Sequence, residues 1–123
     1  MAVTGPDFLA LQVRDLDRAA EFYESRLELR RLSVSPPGAV VFDTKPIPFA
    51  VREPLPGTDL EAAHPRPGLG VSLWLHADNA QALHDELAAT GVPIAAAPVD
   101  GPFGRTFTFL DPDGYAITVH DRA

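Results

Sequence analysis

The chain has 123 residues, 46% of them apolar, which is enough to bury a core and too apolar for a disordered segment. It contains no cysteine, so a disulfide framework, a thiolate nucleophile and any zinc–sulfur site are excluded. The formal net charge of −7 and the sequence pI of ≈ 4.8 argue against a nucleic-acid partner, which calls for a basic face, and against an anionic membrane surface.

The N-terminal MAVTGPDF has no basic region followed by an apolar run, which predicts no signal peptide. No apolar stretch is long enough for a bilayer, so the expected location is the cytoplasm. Residues 8–14 alternate Leu9, Leu11 and Val13 with Phe8, Ala10, Gln12 and Arg14, the period of a strand with one apolar face. Asp15 stands where an N-cap belongs, and Leu16, Ala19, Ala20, Tyr23 and Leu27 follow at helical spacing, predicting a helix over 16–28. Three short strands are expected next, at 29–35, 39–44 and 47–53, separated by Pro36-Pro37-Gly38 and Lys45-Pro46. Residues 54–68, rich in proline and glycine, read as a linker.

After the linker the pattern restarts. Residues 71–77 alternate Val71, Leu73 and Leu75 with Ser72, Trp74 and His76, a second strand of the same kind. Asn79 is a cap, Ala80, Leu83, Leu87 and Ala88 form a helical stripe, and Gly91 is placed to end the helix. Strands are then expected at 92–99, 105–110 and 115–120, the last two joined by the turn Asp111-Pro112-Asp113-Gly114.

The order is therefore βαβββ, linker, βαβββ, with a first module at 7–53 and a second at 69–121 of one domain, 1–123. An offset of 64 residues (79 − 15) superposes the two caps and also lays Leu9 on Leu73 and Leu11 on Leu75. Near the module ends, Phe49-Ala50-Val51-Arg52-Glu53 lies over Ile117-Thr118-Val119-His120-Asp121 at an offset of 68 (117 − 49). One helix per module covers only one face of its strands, which leaves the other face for a ligand, a partner or the other module.

The run Asp15-Leu16-Asp17-Arg18-Ala19-Ala20-Glu21-Phe22-Tyr23, the segment from Gly104-Arg105 to Phe109, and Asp111-Pro112-Asp113-Gly114 with the strand after it resemble the vicinal oxygen chelate superfamily. That group includes glyoxalase I, extradiol dioxygenases, fosfomycin-resistance enzymes and bleomycin-resistance proteins. The resemblance runs over nearly the whole chain. It implies an α+β fold in which two βαβββ modules form a curled mixed sheet around a cleft, and a homodimer with strands or modules shared between subunits. The family's enzymes carry metal ligands early in the first strand and midway along the last strand of each half. Those positions match Phe8, Ala50, Ser72 and Thr118, none of them a carboxylate, imidazole or thiolate, so no metal and no cofactor is expected. A shift of register would bring up Glu53, a single carboxylate.

Strand parity then selects the residues expected to face the cleft. Trp74 shares a face with Ser72 and His76 and supplies a flat stacking wall, since Leu73 and Leu75 take the helix side. His120 and Thr118 share the parity of the matching last strand. Phe8 and Gln12 project from the first strand, Gln12 as a polar group for a carbonyl or amide, with an exposed strand end as its plainer reading. Arg52 follows the parity of Ala50 and would meet an anionic or planar ligand, or else form a salt bridge with a glutamate. Phe42 adds aromatic surface, and Phe103, in the loop 100–104, is a lid candidate. Phe107 and Phe109 are assigned to the core, and His84 to the exposed side of its helix. No residue is assigned a catalytic role, because neither a nucleophile elbow nor a phosphate loop is present.

The expected function is metal-independent binding of a small aromatic or apolar ligand, a natural product or antibiotic held in the manner of self-resistance proteins. The alternatives are a metal-free isomerase, cyclase or lyase using His76, His120 or Glu53 as acid or base, and a metal-dependent glyoxalase-like enzyme.

Overall fold

The computed structural model describes residues 1–122 and divides the chain into two compact units, Met1–Ala62 and the remainder from Ala63 onward. Each unit carries one helix against one sheet, and together they form an α+β protein with two mixed sheets.

In the first unit, β1 (Leu9–Gln12) is followed by α1 (Leu16–Arg26), β2 (Ala39–Phe42) and β3 (Phe49–Arg52), with sheet order β1-β3-β2. Asp15 caps α1 as its sequence position predicts: its backbone is extended and its carboxylate accepts from the Arg18 N–H at 3.1 Å. The stripe from Leu16 to Tyr23 faces the sheet, where Ala19, Ala20 and Tyr23 are buried. The expected strand at 29–35 reduces to an isolated bridge between Arg31 and Phe42, supported by backbone bonds from Leu32 N–H to the Val41 carbonyl and from Asp43 N–H to the Arg30 carbonyl. Pro36 and Pro37, which lack an N–H, follow this segment, so it lies beside β2 with too few rungs to become a fourth strand.

In the second unit, β4 (Leu73–His76), α2 (Ala80–Ala89), β5 (Ile94–Gly101), β6 (Gly104–Leu110) and β7 (Ala116–His120) give the sheet order β4-β7-β6-β5. Asn79 caps α2 by accepting from the Ala82 N–H at 3.0 Å. The helix closes in a Schellman arrangement: Val92 N–H reaches the Leu87 carbonyl, Gly91 N–H reaches the Ala88 carbonyl, and Gly91 takes φ +84°. The buried stripe differs from expectation at two residues. Ala88 is exposed and His84 is half-buried, its ring 5.4 Å from that of Phe107, so the face toward the sheet is Ala80, Leu83, His84 and Leu87. That set follows the i, i+3, i+4, i+7 spacing. Pro98 sits in β5, an edge strand with two register irregularities, where a missing donor and a bulge are tolerated.

The internal repeat reappears as strand register. β1 and β3 run parallel with Leu9 opposite Phe49, Ala10 opposite Ala50, Leu11 opposite Val51 and Gln12 opposite Arg52. β4 and β7 run parallel with Leu73 opposite Ile117, Trp74 opposite Thr118, Leu75 opposite Val119 and His76 opposite His120. Offsets of 64 and 68 convert each pair of the first set into the corresponding pair of the second. Among the described residues no helix is long and apolar enough to cross a membrane.

Candidate functional site

The second sheet has two unlike faces. Ile117 and Val119 of β7 and Phe107 and Phe109 of β6 are buried on the α2 side, as parity predicts. The opposite face carries Trp74 and His76 from β4, Thr118 and His120 from β7, and Thr106 and Thr108 from β6. Trp74 remains 45% exposed there, so its ring is a surface wall and no part of the core under α2.

The rings on this face form a connected group. Trp74 lies 5.9 Å from His120 and 5.6 Å from Phe103 between ring centres, and His76 lies 5.5 Å from His120. Phe103 reaches the group from the tip of the β5–β6 hairpin, where Gly101 pairs with Gly104 and only two residues make the turn. Its carbonyl accepts from the Arg122 N–H at 3.1 Å, which ties the tip to the chain following β7. Phe103 is thus a wall on a two-residue turn, where the sequence suggested a loop able to act as a lid. Its ring is 55% exposed.

Polar contacts hold these rings in place. The Trp74 Nε1–H donates to Ser72 Oγ at 2.7 Å, and the hydroxyls of Thr108 and Thr118 share a hydrogen bond of 2.8 Å across β6 and β7. Asp121, just past His120, accepts from the Arg105 N–H at 2.9 Å and from the Ala80 N–H at 3.2 Å. Those bonds, Arg105 first and Ala80 next, hold its carboxyl below the usual carboxylate range. Arg105 in turn donates to Gln81 and to Asp100, joining α2, β5 and β6. Among the described residues, His120 Nδ1 is the only buried side-chain nitrogen or oxygen without a hydrogen-bond partner.

Candidates from the first unit separate into different roles. Phe8 directly precedes β1 and is 52% exposed. Gln12 Oε1 accepts from the Leu55 N–H at 2.7 Å, fastening the start of the linker. The linker packs further through buried Leu60, in a short 3-10 helix at Leu60–Ala62, and through an Arg14–Glu61 ion pair. Arg52 donates from Nε to the Glu53 backbone carbonyl at 2.9 Å, in place of the salt bridge considered from sequence. Phe42 is a correction. It is fully buried, stacked on Phe49 at 6.0 Å and 6.2 Å from Tyr23, and so belongs to the core under α1. Its antiparallel partner is Phe49, which puts both rings on the helix side of the sheet.

Sequence reasoning missed Asp121, whose role depends on two backbone N–H groups brought near it by folding, and Thr108 as the partner of Thr118. The five-residue connection between Leu110 and Ala116 carried that second signal, because its length sets the β6–β7 register.

The model of the Glyoxalase/Bleomycin resistance protein/Dioxygenase superfamily matches residues 5–119. The chain belongs to that superfamily. No curated protein matches it. Among solved structures, TnmS3, an antibiotic binding protein from Streptomyces sp. CB03234, superposes with a TM-score of 0.76 at 23% identity, covering 100% of this chain and 99% of that one. A protein of unknown function from Agrobacterium tumefaciens str. C58 gives 0.74 at 28% identity, with 100% and 95% covered. A lactoylglutathione lyase from Agrobacterium tumefaciens gives 0.69 at 21% identity, with 98% and 96% covered.

Metal ligation in the superfamily's enzymes invites a test of fit at the four matching positions. Phe8 and Ala50 have no donor atom to offer a cation. Ser72 Oγ is engaged with the Trp74 indole and Thr118 Oγ1 with Thr108, and neutral hydroxyls are poor ligands for a divalent ion in any case. Among the described residues no three His, Cys, Asp or Glu side chains are grouped to hold a metal. These residues do not fit the superfamily's metal.

Proposed function

We propose that this superfamily member is a metal-independent binding protein that takes up a small aromatic molecule, a natural product or antibiotic, on the open face of its second module. The observation that carries the reading is the exposed indole of Trp74, oriented by Ser72 and flanked by Phe103, His76 and His120. An exposed, pre-oriented indole binds flat apolar ligands with little loss of side-chain freedom. The same fold serves TnmS3, which is described as an antibiotic binding protein. In this reading Ser72 and Thr118 orient neighbours, Phe8 contributes a further exposed aromatic surface, and Gln12 and Arg52 support the first module. The protein works as a cytoplasmic homodimer whose modules, 7–53 and 69–121 with the linker 54–68, act as one domain.

Trp74 is the only tryptophan, so its emission reports directly on the face. Titration with a panel of bleomycin-, mitomycin- and enediyne-type compounds is expected to quench or shift that emission for at least one member. Unchanged emission across the panel overturns the reading.

The His76–His120 ring pair favours a second reading, metal-free isomerisation, cyclisation or lysis of a bound compound with an imidazole as acid or base. Product formation that disappears in His120→Ala while binding persists is its signature.

A further inference from the structure

We infer that the open face recognises a planar aromatic ligand through a ring carbonyl, which receives a hydrogen bond from the Nε2–H of His120. The inference rests on the reading of this face as an aromatic platform and adds to it the polarity of the ligand.

The buried Nδ1 of His120 decides which nitrogen is the donor. A neutral imidazole carries one proton, so one ring nitrogen donates and the other accepts. Nδ1 is buried with no partner, among the rings of Trp74, His76 and Phe103. A proton placed there would be a buried donor with nothing to receive it, the rarer and costlier kind of orphan, whereas a bare lone pair is better tolerated. The proton therefore sits on Nε2. Among the described residues that nitrogen has no hydrogen-bond partner either, and it is not among the buried orphans.

Three of the other hydrogen-bonding groups on this face, Ser72, Thr108 and Thr118, are already engaged, and His76 stands on the far side of His120 as a second exposed imidazole. The indole N–H is directed to Ser72, and the hydroxyls of Thr108 and Thr118 satisfy each other. The Nε2–H of His120 is left as a donor beside an exposed indole. An oxygen that accepts it while the ligand's ring lies on Trp74 must lie near the ring plane, as the oxygen of a carbonyl conjugated to or built into the aromatic system does.

Fluorene and 9-fluorenone are matched probes, because one CH2 becomes a C=O and the ring system is otherwise kept. Binding of each to the whole protein is followed by the NMR shift of the Trp74 indole N–H. Fluorenone is expected to bind roughly fivefold tighter, the worth of one neutral hydrogen bond, and to lose that advantage in His120→Phe. Equal affinities for the two probes overturn the inference and leave the aromatic platform standing. A Trp74 signal that neither probe moves overturns both. A second measurement does not depend on the variant: long-range proton–nitrogen correlation on the unliganded wild type is expected to show His120 protonated at Nε2. A proton found on Nδ1 overturns the inference whatever the probes do.

Discussion

Trp74 and Ser72, two residues apart at the entry to β4, are joined by a hydrogen bond of 2.7 Å from the indole N–H to the serine hydroxyl. Both side chains are on the exposed face, where an indole without such a partner would sample several rotamers. The bond selects one orientation before any ligand arrives. Ser72→Ala is therefore expected to leave the melting temperature nearly unchanged, to lower the fluorescence anisotropy of Trp74, and to weaken any ligand of this face about fivefold, the loss of one net hydrogen bond. Unchanged anisotropy in the variant contradicts a positioning role for Ser72.

Phe42 gives the opposite pattern. Its ring is fully buried between Phe49 and Tyr23, so Phe42→Ala leaves a cavity and is expected to cost about 3–5 kcal/mol. Urea denaturation checks the magnitude. The Trp74 emission of the folded variant is expected to match the wild type, because Phe42 has no part in the aromatic face.

Gly104 takes φ +86°, and a side-chain carbon there would run into the Asp121 carboxylate and the Arg122 backbone. Two penalties combine at this residue: left-handed backbone, and displacement of the carboxylate that receives the Arg105 N–H. Gly104→Ala is expected to destabilise by about 1–3 kcal/mol and to loosen Phe103 at the adjoining turn. Hydrogen exchange at Arg105 and Arg122 is the check: it should accelerate in the variant.

Asp121 links stability to pH. Its folded-state carboxyl lies below the ordinary range because Arg105 and Ala80 donate to the charged form. A group depressed on folding contributes its full stabilisation above the unfolded value of about 3.9, and loses it as pH falls through the folded value. The wild type is thus expected to melt above Asp121→Asn at neutral pH, with the gap narrowing as pH falls from about 4 toward the folded value, below which the carboxyl is protonated in both states. A gap of constant size from neutral to acid pH contradicts the linkage.

The sequence made the architecture legible wherever period, cap and repeat agreed. Asp15 and Asn79 mark helix starts by chemistry alone, and the offsets between the halves carry each parallel strand pair of the first unit onto its counterpart in the second. Alternation in β4 put Trp74 and His76 on one face and Leu73 and Leu75 on the other. Alternation failed in β2, where Val40, Val41 and Phe42 are buried in succession and parity carries no information about which face is open. Phe42 lies in that run, so its aromatic character alone does not tell a cleft wall from a core ring. His84 was misread because a half-buried histidine on a helix resembles a solvated one until the aromatic beneath it is known. The anchoring by Asp121 depends on two N–H groups distant in sequence, and no local pattern announces it.

The equivalence of Gln12–Arg52 with His76–His120 has an evolutionary consequence. In one copy of the repeat the paired side chains hold backbone, Leu55 by Gln12 and Glu53 by Arg52; in the other they stand beside an exposed tryptophan. A duplicated module lets structural duty settle on one copy and frees the same two positions in the second to change chemistry. New ligands can then be acquired by substitutions at residues 76 and 120 without unfastening the linker, and diversification of this face is expected to run ahead of its counterpart.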